Sequence, residues 1–291
     1  MSKKPIVAVT GINGQLGFEI QALSTQFNQF DFIFTGRNEI DLNDPETIDS
    51  FFDKHRPDYF INCAAYTAVD KAETEIETAL AINATSVASI ARHCNKINCT
   101  LITISTDYVF DGNGTSPYPT DYITNPVNHY GYTKLLGEEM AIQNNPKTIV
   151  IRTSWVYSTH GNNFVKTMLR LMKERPEIKV VNDQKGSPTN AKNLADGILT
   201  LISKIDSKTV EPQYGIYHFS DKGNITWFQF AKEIKGFKKL NTKVLPMLTI
   251  DYPTPAKRPN YSVMDTSKIT NVYGIEIKDW KESLHSCLDK L

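Results

Sequence analysis

Along the first half of the chain, short runs of β-branched and aromatic residues alternate with longer stretches whose apolar positions recur every three or four residues. That alternation predicts a parallel sheet with helices on both faces. Residues 6–10, 31–35, 59–62, 100–105 and 148–152 read as strands. Asp44-Pro45 offers an N-cap and a proline at the first helical position, so a helix is expected from there to about His55. Between residues 75 and 98, Ile76, Leu80, Val87, Ile90 and Ala91 keep a helical rhythm with one buried face. Another helix is expected from about Tyr130 to Gln143. Residues 111–128 hold three prolines and two glycines and read as a loop flanking a bound substrate.

After residue 153 the alternation loosens. Residues 163–174 and 193–203 read as helical, 180–181 and 216–219 as extended, and Tyr252 to Pro259 as a rigid proline-rich connector. The expected fold class is α/β, a Rossmann-like doubly wound parallel sheet with a smaller C-terminal substrate lobe. Residues 1–153 plus about 180–222 are assigned to a dinucleotide-binding domain, and about 154–179 plus 223–291 to the substrate lobe.

Composition narrows the function classes. The chain has 291 residues, of which 40% are hydrophobic, enough for a sizeable core. Lys plus Arg and Asp plus Glu number 32 each, so no global field draws it to nucleic acid or an anionic membrane. No apolar stretch approaches the roughly 20 residues that span a bilayer, and the first residues run into a strand without a secretory core, so the cytoplasm is the expected location. Cys63, Cys94, Cys99 and Cys287 lack CxxC spacing and nearby histidines and read as buried thiols.

The chemistry lies in two places. Gly11-Ile12-Asn13-Gly14-Gln15-Leu16-Gly17 follows the first strand directly. Gly11 is placed at the tight turn, Gly14 facing a diphosphate, and Gly17 where the next helix lies on the strand. Backbone N–H groups at a helix start bind a diphosphate well, and the GxxGxxG spacing therefore reads as a dinucleotide turn. After the second strand, Arg37 tilts the cofactor toward NADP(H), because a guanidinium pairs with a 2′-phosphate; Glu39, as a ribose acceptor, keeps NAD(H) open. Ala64, Ala65 and Tyr66 follow the third strand, where a dinucleotide would cross the sheet edge, and equally suit close packing under a loop.

The second place pairs Ser105-Thr106-Asp107, at the end of the fourth strand, with Tyr130 and Lys134, four residues apart on one helical face. An ammonium beside a phenol is expected to lower its pKa and make it a proton carrier, with Thr106 hydrogen-bonding a carbonyl oxygen.

The order of GxxGxxG, Ser-Thr-Asp and YxxxK resembles the extended short-chain dehydrogenase/reductases. Residues 67–73, 105–110, 152–157, 161–164 and 252–255 are similar more narrowly to the dTDP-4-dehydrorhamnose reductases. That resemblance implies reduction of the C4 ketone of dTDP-4-dehydro-β-L-rhamnose to dTDP-β-L-rhamnose, within polysaccharide precursor synthesis. It implies Tyr130 as proton donor, Lys134 as its electrostatic partner and a cofactor contact, and Thr106 as the carbonyl's hydrogen-bond donor. Asp107 and Trp155 would touch the sugar nucleotide; Asn13 to Leu16, Asp41, Leu42 and 65–67 would touch the dinucleotide. Arg258, beside the proline connector, is assigned to the substrate diphosphate. Some members dimerise through magnesium held by glutamates. Glu19 matches one such position, but Lys192 occupies another, so no metal is expected and a homodimer stays open. Two other readings remain: an NAD-dependent sugar-nucleotide epimerase or dehydratase, and a non-catalytic NADP-binding regulatory subunit.

Overall fold

The computed structural model describes residues 3–291. In chain order its elements are β1 (Ile6–Thr10), α1 (Gln15–Leu23), β2 (Asp31–Thr35), α2 (Pro45–His55), β3 (Tyr59–Asn62), α3 (Ile76–Leu80) and α4 (Ser86–Lys96). Then come β4 (Thr100–Thr106), α5 (His129–Asn144), β5 (Thr148–Thr153), β6 (Val156–Tyr157), α6 (Phe164–Glu174), β7 (Glu177–Val181) and β8 (Lys185–Gly186). The chain ends with β9 (Thr189–Asn190), α7 (Ala191–Asp206), β10 (Gly215–His218), β11 (Ile225–Thr226), α8 (Trp227–Phe237), β12 (Lys243–Met247), α9 (Ser267–Tyr273) and α10 (Trp280–Leu288).

Six strands form one sheet in the order β10-β5-β4-β3-β1-β2, all pairs parallel. Because side chains alternate across a strand, each strand feeds two cores. Val7, Val9, Tyr59, Ile61 and Ile102 join α1 and α7 on one face, whereas Ala8, Phe60 and Leu101 join α2 and α4 on the other. The strands are buried on both faces, which is why they read as continuous apolar runs. The strand order reverses direction between β1 and β3, and the crevice at their carboxyl ends is where an open α/β sheet binds its ligand.

Helix α2 begins as its sequence dictates: the Asp44 side chain accepts from the Glu46 N–H at 3.1 Å, with Pro45 at the first helical position. The expected helix over 75–98 is broken into α3 and α4 by a π turn at Ala81–Thr85. The wider turn rotates one half against the other. Ile76 is therefore exposed, and Ala79, Asn83 and Ala84 are buried with Val87 and Ile90.

A second core collects β7, α6, α8 and α10, with Phe230, Trp280 and Leu284 at its centre. Core membership crosses the division expected from the sequence. Strand β7 pairs with β12 in this second body, while Ile269, Tyr273 and Ile275 pack with α7 under the large sheet. Elements α8, β12 and α10, unforeseen in the sequence reading, supply much of the second body, and α9, equally unforeseen, joins the core of the large sheet. Among the described residues no helix is long and apolar enough to cross a membrane. The four cysteines are unpaired, with Cys94, Cys99 and Cys287 buried.

Helix α8 opens on a reciprocal cap in which Thr226 Oγ1 accepts from the Gln229 N–H and Gln229 Oε1 accepts from the Thr226 N–H. Thr226→Ala should cost about 1 kcal/mol, read as a lower urea midpoint with an unchanged slope.

Candidate active site

The cleft is built first by a close approach of two backbones. Gly11 lies at φ +70°, and a Cβ there would stand 2.7 Å from the Ala64 nitrogen after β3. A Cβ on Gly17 would stand 2.4 Å from the Gly11 carbonyl oxygen, so α1 sits directly on the turn. Gly14 caps α1 without a side-chain hydrogen bond, leaving the first helical N–H groups free for an anion.

The resulting cleft, about 710 Å³, brings together Gly11, Asn13, Gly14, Gln15, Leu16, Arg37, Asp41, Leu42, Ala64 and Ala65 at one end. Thr106, Asp107, Tyr130, Lys134 and Trp155 line the other. Tyr66 and Arg258 do not line it. The Tyr66 N–H donates to Asn83 Oδ1 at 2.9 Å and its hydroxyl donates to Glu75 at 2.8 Å. The Arg258 guanidinium is already matched to a carboxylate, donating through Nη1 and Nη2 to the two oxygens of Asp70 at 2.8 Å each. The 111–128 loop also stays off this cleft, packing along 263–265 through Tyr118.

At the ribose end, Glu39 is occupied: its Oε2 accepts from the Gly36 N–H at 2.8 Å and holds the turn after β2. Arg37 is 73% exposed, its Nε 3.7 Å from Asp41 Oδ1. The Asn43 N–H bonded to Asp41 holds that carboxyl below its usual pKa, with Arg37 adding to the effect.

At the other end, Thr106 closes β4. Its hydroxyl donates to Asp107 Oδ1 at 3.1 Å and accepts from the Tyr108 N–H at 3.2 Å. Asn128 caps α5 by accepting from the Gly131 N–H at 2.8 Å, which fixes Tyr130 in the first turn and Lys134 one turn on. The Lys134 ammonium donates to the Ile104 carbonyl at 2.7 Å. Here the electrostatics depart from the expectation of a lowered phenol. Burial pushes Tyr130 up to about 12, against the opposing hydrogen bond of Thr106. Burial also pulls Lys134 down to about 8, partly offset by Glu138. Withdrawal from water, with the Asp107 carboxylate adding to it, outweighs the Thr106 hydrogen bond and favours the protonated phenol. Asp107, 2% exposed, is pushed up to about 6 by burial, and its Oδ2 has no hydrogen-bond partner.

Trp155 adopts φ +47°, a conformation that for a bulky residue costs about 1–3 kcal/mol. Its indole stacks on Trp227 with ring centroids 3.5 Å apart, and a Cβ on Gly186 would reach within 2.6 Å of it. Packing on both sides fixes the strained residue at the cleft wall.

Sequence reasoning missed several contributors. Asn83, in the π turn, holds the backbone of Tyr66 at both N–H and carbonyl and donates to Thr133 Oγ1 at 3.0 Å, tying the loop after β3 to α5. A polar residue inside an apolar helical face was the available signal. Gly161 and Asn162 also line the cleft, and their loop is stitched to α1: Asn163 donates to Gln15 at 2.9 Å, Ser158 to Glu19 at 2.6 Å, and His160 stacks on Phe18. Trp227 gave no signal before the fold brought it to Trp155.

A family model described as the RmlD substrate binding domain matches residues 5–291. The dTDP-4-dehydrorhamnose reductase of Escherichia coli (strain K12) is 40% identical, the match covering 98% of this chain and 97% of that protein. The crystal structure of a dTDP-4-dehydrorhamnose reductase from Clostridium acetobutylicum is similar with a TM-score of 0.92 at 39% identity, covering 98% of this chain and 99% of the other. One from Bacillus anthracis, in complex with NADP, has a TM-score of 0.92 at 36% identity, covering 99% and 100%.

Gly11→Ala should force apart the turns after β1 and β3. The expected result is at least about tenfold weaker NADPH binding, read by fluorescence titration, with stability lowered by about 1 kcal/mol or more.

Proposed function

From its membership of the dTDP-4-dehydrorhamnose reductase family, we infer that this chain reduces the C4 ketone of dTDP-4-dehydro-β-L-rhamnose to the alcohol with NADPH. The observation that carries the reading is the meeting of Thr106, Tyr130 and Lys134 in one cleft with the glycine turn. The backbone cradle at Gly11 and Gly17, which a single added carbon would fill, suits a dinucleotide diphosphate, and the exposed Arg37 suits a 2′-phosphate. NADPH, when bound, supplies the hydride.

The chain's own groups manage the proton. Thr106 turns its hydroxyl from Asp107 to the ketone oxygen and stabilises the charge that develops there. Tyr130, protonated throughout the physiological range, gives its proton to that oxygen, because an alkoxide is the stronger base. The phenolate left behind gains the Lys134 ammonium as its counter-charge. Asp107, with an unpartnered oxygen, is suited to a sugar hydroxyl, and the Trp155–Trp227 stack to the wall of the sugar pocket. Arg258 reaches a substrate diphosphate only by exchanging Asp70 for it.

Loss of reduced-nicotinamide absorbance on mixing the protein with dTDP-4-dehydrorhamnose and NADPH tests the reading. No oxidation with NADPH or NADH would remove it, and retained cofactor binding would then point to a regulatory subunit. Tyr130→Phe should lose about 10²- to 10⁴-fold in kcat and leave NADPH affinity unchanged. Arg37→Ala should weaken NADPH about tenfold more than NADH, read by competitive titration. Lys134 is charged below its pKa of about 8 and neutral above it. Accordingly, kcat/KM for NADPH should fall as pH rises through that value.

A further inference from the structure

Tyr130, Lys134 and Glu138 succeed one another at four-residue spacing on α5 and share one helical face. The third member lies outside the cleft. Glu138 and Arg152 are each 2% exposed. Arg152 donates from Nε to both carboxylate oxygens at 2.9 and 3.1 Å and from Nη2 to Oε2 at 2.7 Å. Ser105 Oγ donates to the same carboxylate and stands opposite Arg152 in the β4–β5 register. The guanidinium is further held over the Phe110 ring at 5.2 Å. The carboxylate is thus fixed between helix and sheet, one turn behind an ammonium that donates to the residue preceding Ser105.

We propose that Glu138, fixed by Arg152 and Ser105 one turn behind Lys134 on the same helical face, acts through that lysine and keeps it protonated beside Tyr130. The proposal rests on the reductase reading above. A buried Arg–Glu pair contributes little stability relative to apolar residues of the same volume, so the pair's part here is electrostatic. The helix carries Tyr130 and Glu138 beside Lys134, and the segments packed against it bring Asp107, Tyr108, Arg152 and Glu73. Of these, Glu138 is the charge that opposes the effect of burial on Lys134. Without it, the ammonium loses its proton at lower pH.

The test is the pH profile of kcat/KM for NADPH in wild type, Glu138→Gln and Glu138→Asp, with dTDP-4-dehydrorhamnose as substrate. Removal of the charge should move the alkaline limb down by about one pH unit, and Glu138→Asp should restore most of it. KM for the sugar nucleotide should change little, because Glu138 touches no substrate. Where Glu138→Gln alone does not fold, the pair Glu138→Gln with Arg152→Met removes both charges and should show a smaller shift in the same direction, because the guanidinium that opposes the ammonium goes with the carboxylate. An unmoved alkaline limb in a folded variant overturns the proposal, as does failure of both variants to fold, which would make the pair purely structural. A wild type that oxidises no NADPH refutes the reductase reading instead.

Discussion

Two backbones meeting without a side chain between them govern this molecule. The turn after β1 can lie against the segment after β3 only because position 11 carries no Cβ and accepts a positive φ. That contact keeps the crevice at the reversal of strand order open to a ligand, and Gly17 lets α1 point its free N–H groups into it. The remaining elements bring chemistry to this edge. β4 ends in Thr106, α5 follows with Tyr130 and Lys134, and the segment after β5 adds Trp155.

Desolvation sets the character of that chemistry. Lys134, Asp107, Glu138 and Arg152 all sit within a few per cent of full burial near one end of the sheet. Removing charge from water is costly, so each group either finds a partner or shifts its pKa. Glu138 and Arg152 take the first course, and Lys134 and Asp107 the second. The outcome is a proton-holding phenol beside a lysine that titrates close to neutrality, both properties of the packing and neither of the residue types alone.

The smaller body is joined to the cofactor turn by short polar stitches. Gln15 donates to the Val156 carbonyl at 3.3 Å and accepts from Asn163, so the helix that starts the dinucleotide site also anchors the loop approaching from the sugar side. Loops carry much of the site, and these contacts make one of them part of the rigid frame. Asn83 does the same on the opposite wall, where a π turn spends regular helical hydrogen bonding to aim one amide at two neighbouring segments.

The sequence by itself determined what depends on local backbone demands and on periodicity. It gave away the strands through their apolar runs, the start of α2 through Asp44-Pro45, the glycine turn through its spacing, and the shared face of Tyr130 and Lys134 through the helical repeat. The reciprocal cap of α8 was equally local, a Thr-x-x-Gln at Thr226, and went unread because the last third lacked a clear hydrophobic rhythm. Only the tertiary structure decided what arises when distant segments meet. It raised the phenol of Tyr130, committed Arg258 to Asp70, stacked Trp155 on Trp227 and set Glu138 against Arg152. The physical reason is that dielectric surroundings and partners across the fold have no signature in the spacing of residues along a chain.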